Sequence, residues 1–223
     1  MMLNVSAIIP VYNEEITVGN VIRTVLESKV FSEVICINDG STDKSLEILK
    51  SLKKIILIDF KKNFGKGRAL AEGIRKASGE IIVFIDSDLV GLKKSHLKKL
   101  VGTLVTKKVD AVLADTDISK LYFKISFYRI ASFFGNDHDA LTGERAYYRK
   151  DLLPYVNELK KLGYGTELFL NYIYRHKKIE FIKLSKLTQL SNYKKNGTSN
   201  FLRIFRRLIE PAKVLVKYIY NNK

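Results

Sequence analysis

The sequence predicts an α/β fold, in which helices flank a mostly parallel, Rossmann-like sheet and a C-terminal amphipathic helix follows. Three observations support this prediction. Apolar runs of strand length alternate with amphipathic runs through the first half of the chain, no internal repeat is present, and polar clusters stand where apolar runs end. Because such alternation requires right-handed crossovers, we expect ligands at the carboxyl ends of the strands.

The first half contains five predicted strands and four predicted helices. The strands are runs of large apolar residues, at positions 5–11, 33–38, 55–60, 80–86 and 110–114. The helices repeat apolar residues at i, i+3 and i+4, at positions 16–29, 43–53, 66–77 and 94–107.

The second half is less regular, and its elements are predicted from shorter patterns. We expect a strand over 145–149, a helix over 167–176 and an extended segment over 181–191. No low-complexity linker separates the halves, so residues 1–199 are expected to form one domain with halves 1–117 and 118–199.

The C-terminal stretch 200–223 is predicted to be a basic amphipathic helix, with a kink at Pro211. Six cations accompany the single acid Glu210, and bulky apolar residues form the opposite face. Such a helix either lies in the headgroup layer of an anionic membrane or covers the protein core. Its periodicity does not decide between the two.

Composition limits the classes of protein. A chain of 223 residues with 46% hydrophobic content can bury a sizeable core. No apolar run approaches the roughly 20 residues of a membrane span, and the N-terminus lacks a secretion signal pattern. We therefore expect a cytoplasmic protein, soluble or peripheral at the inner face of the membrane. The single cysteine, Cys36, lies in an apolar run, which predicts a buried side chain and excludes intrachain disulfides and cysteine-ligated zinc.

The formal net charge of +16 favours a polyanionic partner, although surface lysines alone also explain it. Such a partner could be a nucleotide, a phosphorylated lipid, an anionic membrane or a nucleic acid. The expected sign of a nucleic-acid module, aromatics interleaved with lysine on an exposed strand, is not evident, so no nucleic acid is expected as partner. The basic segment 192–196 and the C-terminal helix leave a nucleic-acid-binding module as a distant alternative.

Four short motifs stand at predicted strand ends: IPVYNEE over 9–15, INDGSTD over 37–43, NFGKGRA over 63–69 and FIDSD over 84–88. The first two have structural explanations as a helix start and a tight turn. In the third, two glycines around a lysine just before a helix could bring backbone N–H groups and cations onto a phosphate, although the motif is not a P-loop and lacks the third glycine of a dinucleotide-binding fingerprint. In the fourth, Asp86 and Asp88 follow a buried strand and suit Mg²⁺ or Mn²⁺, which take one or two protein carboxylates beside phosphate oxygens. The same spacing recurs at Asp115/Asp117 and Asp137/Asp139, so spacing alone leaves three candidate metal sites.

In this order and context the four motifs resemble those of the family 2 glycosyltransferases, which have a GT-A fold. The resemblance covers roughly residues 4–180 and is closest to the branch of polyprenyl-phosphate sugar synthases and glucosyl-phosphoglycerate synthases. It implies a nucleotide-sugar-binding half over 1–117, an acceptor half over 118–199, a nucleoside diphosphate sugar as donor and Mg²⁺ or Mn²⁺ as cofactor.

The resemblance also implies roles for individual residues. Asp88 would hold the metal, with His138 as a further candidate ligand, because the third metal ligand of some relatives, a late histidine, is missing near Gln189. Glu167 or Glu144 would be the general base, with Asp86 at the donor sugar. The expected donor-binding residues are Pro10, Tyr12, Glu14, Asp39, Lys66, Asp86, Ser87, Thr142, Gly143 and Arg145.

The expected activity is transfer of a hexose from a UDP- or GDP-sugar to an acceptor. The first choice of acceptor is a polyprenyl phosphate at the membrane surface, and the second is a small phosphorylated acid such as phosphoglycerate. A homo-oligomer is compatible with the sequence. A nucleotidyltransferase is a distant alternative, because its glycine-rich basic loop after the first strand is replaced here by the acidic, glycine-free segment 12–15.

Overall fold

The computed structural model describes residues 4–116, 142–163, 165–190, 218 and 220. Seven strands form one sheet in the order β3-β2-β1-β4-β7-β6-β8, and β5 and β9 form a separate pair. The strands are β1 (Val5–Val11), β2 (Glu33–Asp39), β3 (Ile56–Phe60), β4 (Ile81–Phe84), β5 (Leu89–Val90), β6 (Ala111–Thr116), β7 (Arg145–Tyr148), β8 (Ile179–Leu184) and β9 (Thr188–Gln189).

In the first half of the chain the helices alternate with the strands as predicted, and after β7 three short helices follow one another. They are α1 (Val18–Ser28), α2 (Ser45–Ser51), α3 (Lys66–Lys76), α4 (Lys94–Lys107), α5 (Arg149–Leu152), α6 (Val156–Leu159) and α7 (Thr166–Ile173), with a 3₁₀ turn at Leu153–Tyr155. Among the described residues, no helix is long and apolar enough to cross a membrane.

The sheet is parallel except at β7, which is antiparallel to both β4 and β6. Arg145 at the start of β7 pairs with Phe84 at the end of β4 and also with Leu113 in β6. The amino end of β7 therefore lies at the same edge as the carboxyl ends of β4 and β6. This arrangement brings the turn after β4 next to the loop before β7.

Both faces of the sheet are covered, so the core has two layers. Ile8 and Ile9, neighbours in β1, belong to different apolar clusters because successive strand side chains point to opposite faces. One cluster includes apolar residues of α1 and α4, and the other includes those of α3 and α7. Cys36 is fully buried, and burial raises the pKa of its thiol to about 12, so the prediction of a buried side chain is confirmed.

The observed bounds correct the predicted ones in two places. The strand predicted over 80–86 ends at Phe84, so Asp86 and Asp88 lie in the turn after β4 and not in the strand. The extended segment predicted over 181–191 is two strands, β8 and β9, because the chain turns at Lys186, whose φ is 63°. The predicted C-terminal helix lies outside the described residues except for Tyr218 and Tyr220, as do His138, Asp117, Asp137 and Asp139.

Candidate active site

The carboxyl ends of β1, β2 and β4 meet at one edge, where the first, second and fourth motifs come together. The Ser87 hydroxyl donates a hydrogen bond of 2.8 Å to the Pro10 carbonyl oxygen, which fixes the turn after β4 against the end of β1. Tyr12, just beyond β1, is 44% exposed. This edge therefore offers an accessible aromatic ring beside a carboxylate-bearing turn.

Lys66, the first residue of α3, lies between two carboxylates. Its Nζ is 2.7 Å from Asp86 Oδ1 and 2.7 Å from Glu167 Oε1. Burial alone would lower the pKa of Lys66, but the two carboxylates outweigh burial and raise it above its ordinary value. Burial would likewise raise the pKa of Glu167, whereas Lys66 and Arg145 hold it below its ordinary value. Lys66 and Glu167 are therefore both charged at neutral pH.

Asp86 is held from further directions. Its Oδ2 accepts a hydrogen bond of 3.1 Å from the Gln189 side chain, at the end of β9. A Cβ on Gly143 would collide with the Asp86 carboxyl group, so a glycine is needed there for the loop before β7 to approach it. The Asp86 carboxylate thus touches α3 and β9 and packs against the loop before β7.

Asp88 and Glu144 place two further acidic side chains next to Asp86. Asp88 Oδ1 and Glu144 Oε1 are buried, and neither has a hydrogen-bond partner among the described residues. Burial, together with the charges of Asp86 and Glu14, raises the pKa of Asp88 to about 7, and burial and Asp86 raise the pKa of Glu144 to about 8. Like charges this close indicate a site that is completed by a cation.

These residues fit a hard divalent cation that shares its coordination with a ligand. The available donors are carboxylate oxygens, which suit Mg²⁺ or Mn²⁺. Within the described ranges, no three histidine, cysteine, aspartate or glutamate side chains converge into a complete metal site. A metal held here therefore needs oxygens from a bound phosphate or from water, as the sequence predicted.

Arg145 and Thr142 form the buried support of the loop before β7. Arg145 is 1% exposed and donates hydrogen bonds to the Thr142 carbonyl oxygen at 2.7 Å and to Asn171 Oδ1 at 2.8 Å. The Thr142 hydroxyl donates to Glu144 Oε2 at 2.9 Å. The described hydrogen bonds of Arg145 are thus with residues of the protein interior.

Asp39, at the end of β2, is 3% exposed and holds the third motif. Its Oδ1 accepts from the Phe64 amide at 2.7 Å and its Oδ2 accepts from the Gly65 amide at 2.9 Å. Glu14 is also buried, and its Oε2 accepts a hydrogen bond of 3.3 Å from the Thr17 hydroxyl.

The structure brings most predicted site residues to one edge and adds two that the sequence did not single out. Gln189 bonds to Asp86, and Asn171 bonds to Arg145. Asn171 lies one helical turn after Glu167, so its position on the same helix face could have been predicted from helical spacing. Gln189 carried no local signal, because its contact spans 103 positions along the chain.

The glycines of the third motif have a packing explanation. A Cβ on Gly67 would collide with the carbonyl oxygens of Leu159 and Leu162, so Gly67 allows α3 to pack closely against the end of α6. The sequence hypothesis that both glycines bring backbone amides onto a phosphate is not needed to explain Gly67.

A mostly parallel α/β sheet with charged side chains at the carboxyl ends of its strands is typical of α/β proteins that bind a ligand at that edge. Comparison with protein families makes the class specific. The family model described as glycosyl transferase family 2 matches residues 6–207, and this chain belongs to that family.

The curated relatives include enzymes whose names state an acceptor or a product. A glucosyl-3-phosphoglycerate synthase from Mycolicibacterium smegmatis is 34% identical over 110 residues, which is 46% of this chain and 36% of the relative. An undecaprenyl-phosphate 4-deoxy-4-formamido-L-arabinose transferase from Pectobacterium carotovorum is 36% identical over 95 residues, which is 39% of this chain and 29% of the relative. The chain thus matches about a third of the length of these relatives.

A solved structure confirms the fold over almost the whole chain. Glucosyl-3-phosphoglycerate synthase from Mycobacterium tuberculosis, in complex with Mn²⁺, UDP and glucosyl-3-phosphoglycerate, superimposes with a TM-score of 0.77 at 22% identity. The alignment covers 96% of this chain and 79% of that structure. The predicted GT-A fold is therefore confirmed.

Proposed function

We propose that this protein is a metal-dependent glycosyltransferase that moves a hexose from a UDP- or GDP-sugar to an acceptor. The observation that carries the proposal is the charge arrangement at the sheet edge. Asp88 and Glu144 each leave a buried carboxylate oxygen without a described partner, beside a lysine held 2.7 Å from Asp86. Such a site is complementary to a divalent cation together with a diphosphate.

Asp88 is the proposed metal ligand, and Mg²⁺ or Mn²⁺ is the proposed cofactor. The ion supplies neutralisation of the charge that develops on the leaving diphosphate. Solved structures of the mycobacterial synthase contain Mn²⁺ or Mg²⁺ together with UDP, which supports the assignment of the metal. His138 stays a candidate for a further ligand.

The donor is proposed to lie along the carboxyl ends of β1, β2 and β4. Lys66 contributes a second positive charge to the diphosphate, and Asp86 orients the ribose or the sugar. The other proposed donor contacts are Pro10, Tyr12, Glu14, Asp39, Ser87, Thr142 and Gly143. Arg145 is proposed to support the loop under the sugar, because its described hydrogen bonds are with Thr142, Tyr147 and Asn171.

Glu167 is the proposed general base toward the acceptor hydroxyl or phosphate. It is ionised, and its Oε1 is 2.7 Å from Lys66 Nζ, so its basicity is low while Lys66 stays in place. A shift of Lys66 toward an incoming diphosphate would remove this neighbour and raise the proton affinity of Glu167. Glu144, whose pKa is raised by burial and Asp86, is the alternative base.

The acceptor is proposed to be phosphorylated. A polyprenyl phosphate at a membrane surface is the first choice, supported by the undecaprenyl-phosphate transferase among the relatives and by the net charge of +16. A small phosphorylated acid is the second, supported by the glucosyl-3-phosphoglycerate synthase. The proposed location is the cytoplasm, with attachment to the inner face of the membrane if the lipid is the acceptor.

A thermal-shift panel tests the donor assignment. UDP, GDP, CDP and their sugars are added with and without Mn²⁺, and a ligand that binds the native state raises the melting temperature. We expect one base series to stabilise the protein strongly only when Mn²⁺ is present. Stabilisation by none of them, or equal stabilisation without metal, would contradict the proposal.

Transfer itself separates the two acceptors. The stabilising nucleotide sugar, labelled in the sugar, is incubated with polyprenyl phosphate in detergent or with 3-phosphoglycerate, and the label is followed into the organic or the aqueous phase. Label in the organic phase supports the lipid acceptor, and label in a phosphorylated aqueous product supports the small acid.

A further inference from the structure

The loop before α3, residues 62–65, leads directly into the active-site lysine, and the position of this loop depends on a carboxylate at the end of β2. Asp39 lies at the end of β2, 25 and 26 positions before the two amides that it accepts, those of Phe64 at 2.7 Å and Gly65 at 2.9 Å. Each carboxylate oxygen takes one amide. Hydrogen bonds to a charged acceptor are stronger than neutral ones, and these two fix both the position and the direction of the loop.

The same loop is held by close packing on two sides. A Cβ on Gly40, next to Asp39, would collide with the backbone of Lys62 and Asn63. On the other side, a Cβ on Gly65 would collide with the Cα atom of Gly163, which lies after α6. The turn after β2 and the segment after α6 therefore enclose the loop, and the Asp39 carboxylate sets its register between them.

This loop decides where the Lys66 ammonium lies. Lys66 directly follows Gly65, whose amide is bonded to Asp39, and its Nζ contacts Asp86 and Glu167, both at 2.7 Å. Asp86 and Glu167 belong to other elements, so a shift of the loop would move the ammonium away from both. The distances within the ion pairs thus depend on the two hydrogen bonds at Asp39.

We propose that Asp39 is a positioning residue that holds the 62–65 loop so that the Lys66 ammonium faces Asp86, Glu167 and an incoming diphosphate. The diphosphate in this proposal rests on the proposed function, whereas the positioning of Lys66 by Asp39 does not. It gives Asp39 a second role beside the expected contact with the base, since each carboxylate oxygen has a further lone pair.

The first test measures the position of Lys66 without any nucleotide. Reductive methylation of the intact protein is followed at Lys66 by peptide mass spectrometry, with the exposed Lys98 as internal reference. We expect the rate at Lys66 to rise about tenfold in Asp39→Ala, because losing two charge-assisted hydrogen bonds frees the loop. Asp39→Asn should give a smaller rise, since the amide oxygen can still accept from one donor.

Asp59→Ala is the matched control. Asp59 lies in the adjacent strand β3 and accepts a hydrogen bond of 2.7 Å from the Asn38 side chain, without a described contact to the loop. Lys66 should methylate at the wild-type rate in this variant. If Asp39→Ala does not fold, the methylation rate of Lys66 in Asp39→Asn tests the proposal instead. An unchanged Lys66 rate in a folded Asp39 variant overturns the proposal.

The second test separates positioning from base contact. If Asp39 positions Lys66, the Asp39→Asn variant should lose about tenfold more affinity for the nucleoside diphosphate than for the nucleoside, because the lost charge contact acts on phosphate. Equal losses for both ligands would assign Asp39 to the base alone. If no nucleotide binds the wild-type protein, the proposed function fails while the methylation result still stands.

Discussion

Single side chains at the sheet edge combine an excess of negative charge with one lysine in direct contact. Lys66 forms ion pairs with both Asp86 and Glu167, whereas Asp88 and Glu144 keep buried oxygens without described partners. At this scale the charge of each carboxylate, more than its packing, determines the effect of a substitution.

Asp88→Ala should abolish Mn²⁺-dependent nucleotide binding and leave the fold intact, because Asp88 lies in a turn and contributes little to the apolar core. Asp115→Ala is the control, because Asp115 belongs to a second aspartate pair of the same spacing. This variant should bind the nucleotide and Mn²⁺ as the wild-type protein does. Isothermal titration with the nucleotide and Mn²⁺ measures both. Similar affinities for the two variants would show that the wrong aspartate pair was chosen.

Glu167→Gln should lower kcat by about 100-fold and change the donor Kd by less than about twofold, since a general base acts mainly in the transition state. Glu180→Gln, which removes an exposed acid paired with Lys107, is the control. Single-turnover kinetics with the true acceptor gives both constants. Unchanged turnover in Glu167→Gln would leave Glu144 or a substrate phosphate as the base.

The raised pKa of Asp88 predicts that the stability of the metal-free protein depends on pH. Its pKa of about 7 in the folded protein lies above the ordinary carboxyl value, so between about pH 4 and 7 the folded state binds more protons than the unfolded state. The contribution of Asp88 to the free energy of unfolding therefore decreases as pH rises through this window.

Asp88→Asn removes that titration. The variant should gain stability relative to wild type by about 1–3 kcal/mol between pH 5 and pH 8. Urea unfolding in the presence of a chelator measures this difference, and the comparison cancels the titration of groups that the two proteins share. A constant difference across the window would show that Asp88 does not titrate there.

At the scale of elements, local patterns predicted the strands and helices of the first half well. Each apolar run became a strand of the sheet. The runs of β1 and β4 are buried in its interior, as continuous apolar runs indicate, whereas β3 lies at the edge and is only partly buried. The insertion of β7 between β4 and β6 was not predictable, since it depends on pairing Phe84 with Arg145, far along the chain.

The same limit applies to the candidate site. Motifs at strand ends identified Asp86, Asp88 and Lys66 because the carboxyl ends of parallel strands converge. The sequence could not show that Gln189 reaches Asp86 or that Asp39 holds the loop before α3, since both depend on the three-dimensional approach of distant segments.

Close packing of α3 against α6 gives a stability prediction. Gly67→Ala should lower the free energy of unfolding by about 2 kcal/mol, because the new methyl group meets backbone carbonyl oxygens that cannot move independently. Gly102→Ala in α4 is the control: a Cβ there meets no atom within 4 Å among the described residues. It should raise stability by about 0.5–1 kcal/mol. Chemical denaturation measures both, and a stable Gly67→Ala protein would contradict the packing.

At the scale of the whole molecule, net charge and the C-terminal stretch bear on attachment to membranes. The Tyr218 ring packs edge-on against Phe169 in α7 at 5.1 Å and against Tyr172 at 6.1 Å between ring centroids. This contact supports a packing role for at least part of the stretch. Tyr220 is 82% exposed.

We expect the full chain to sediment with vesicles that contain anionic lipid at low salt and to lose most of that binding at high salt. Replacing Arg203 and Arg206 by glutamate should weaken binding by about tenfold or more, at about 1 kcal/mol per basic residue. Truncation before Asn200 should abolish it. A full chain that ignores such vesicles at low salt would move the small phosphorylated acid to first place as acceptor.

The pairing of Lys66 with Glu167 has a consequence for the order in which the protein folds. Strands β1 to β4 pair within the first 84 residues, so this part of the sheet can form early. Lys66 meets Glu167 across 101 positions, and Asp86 meets Gln189 across 103. During synthesis we therefore expect a nascent chain to build its parallel sheet while the site is still incomplete. The lysine reaches its second carboxylate only after α7 has left the ribosome and docked.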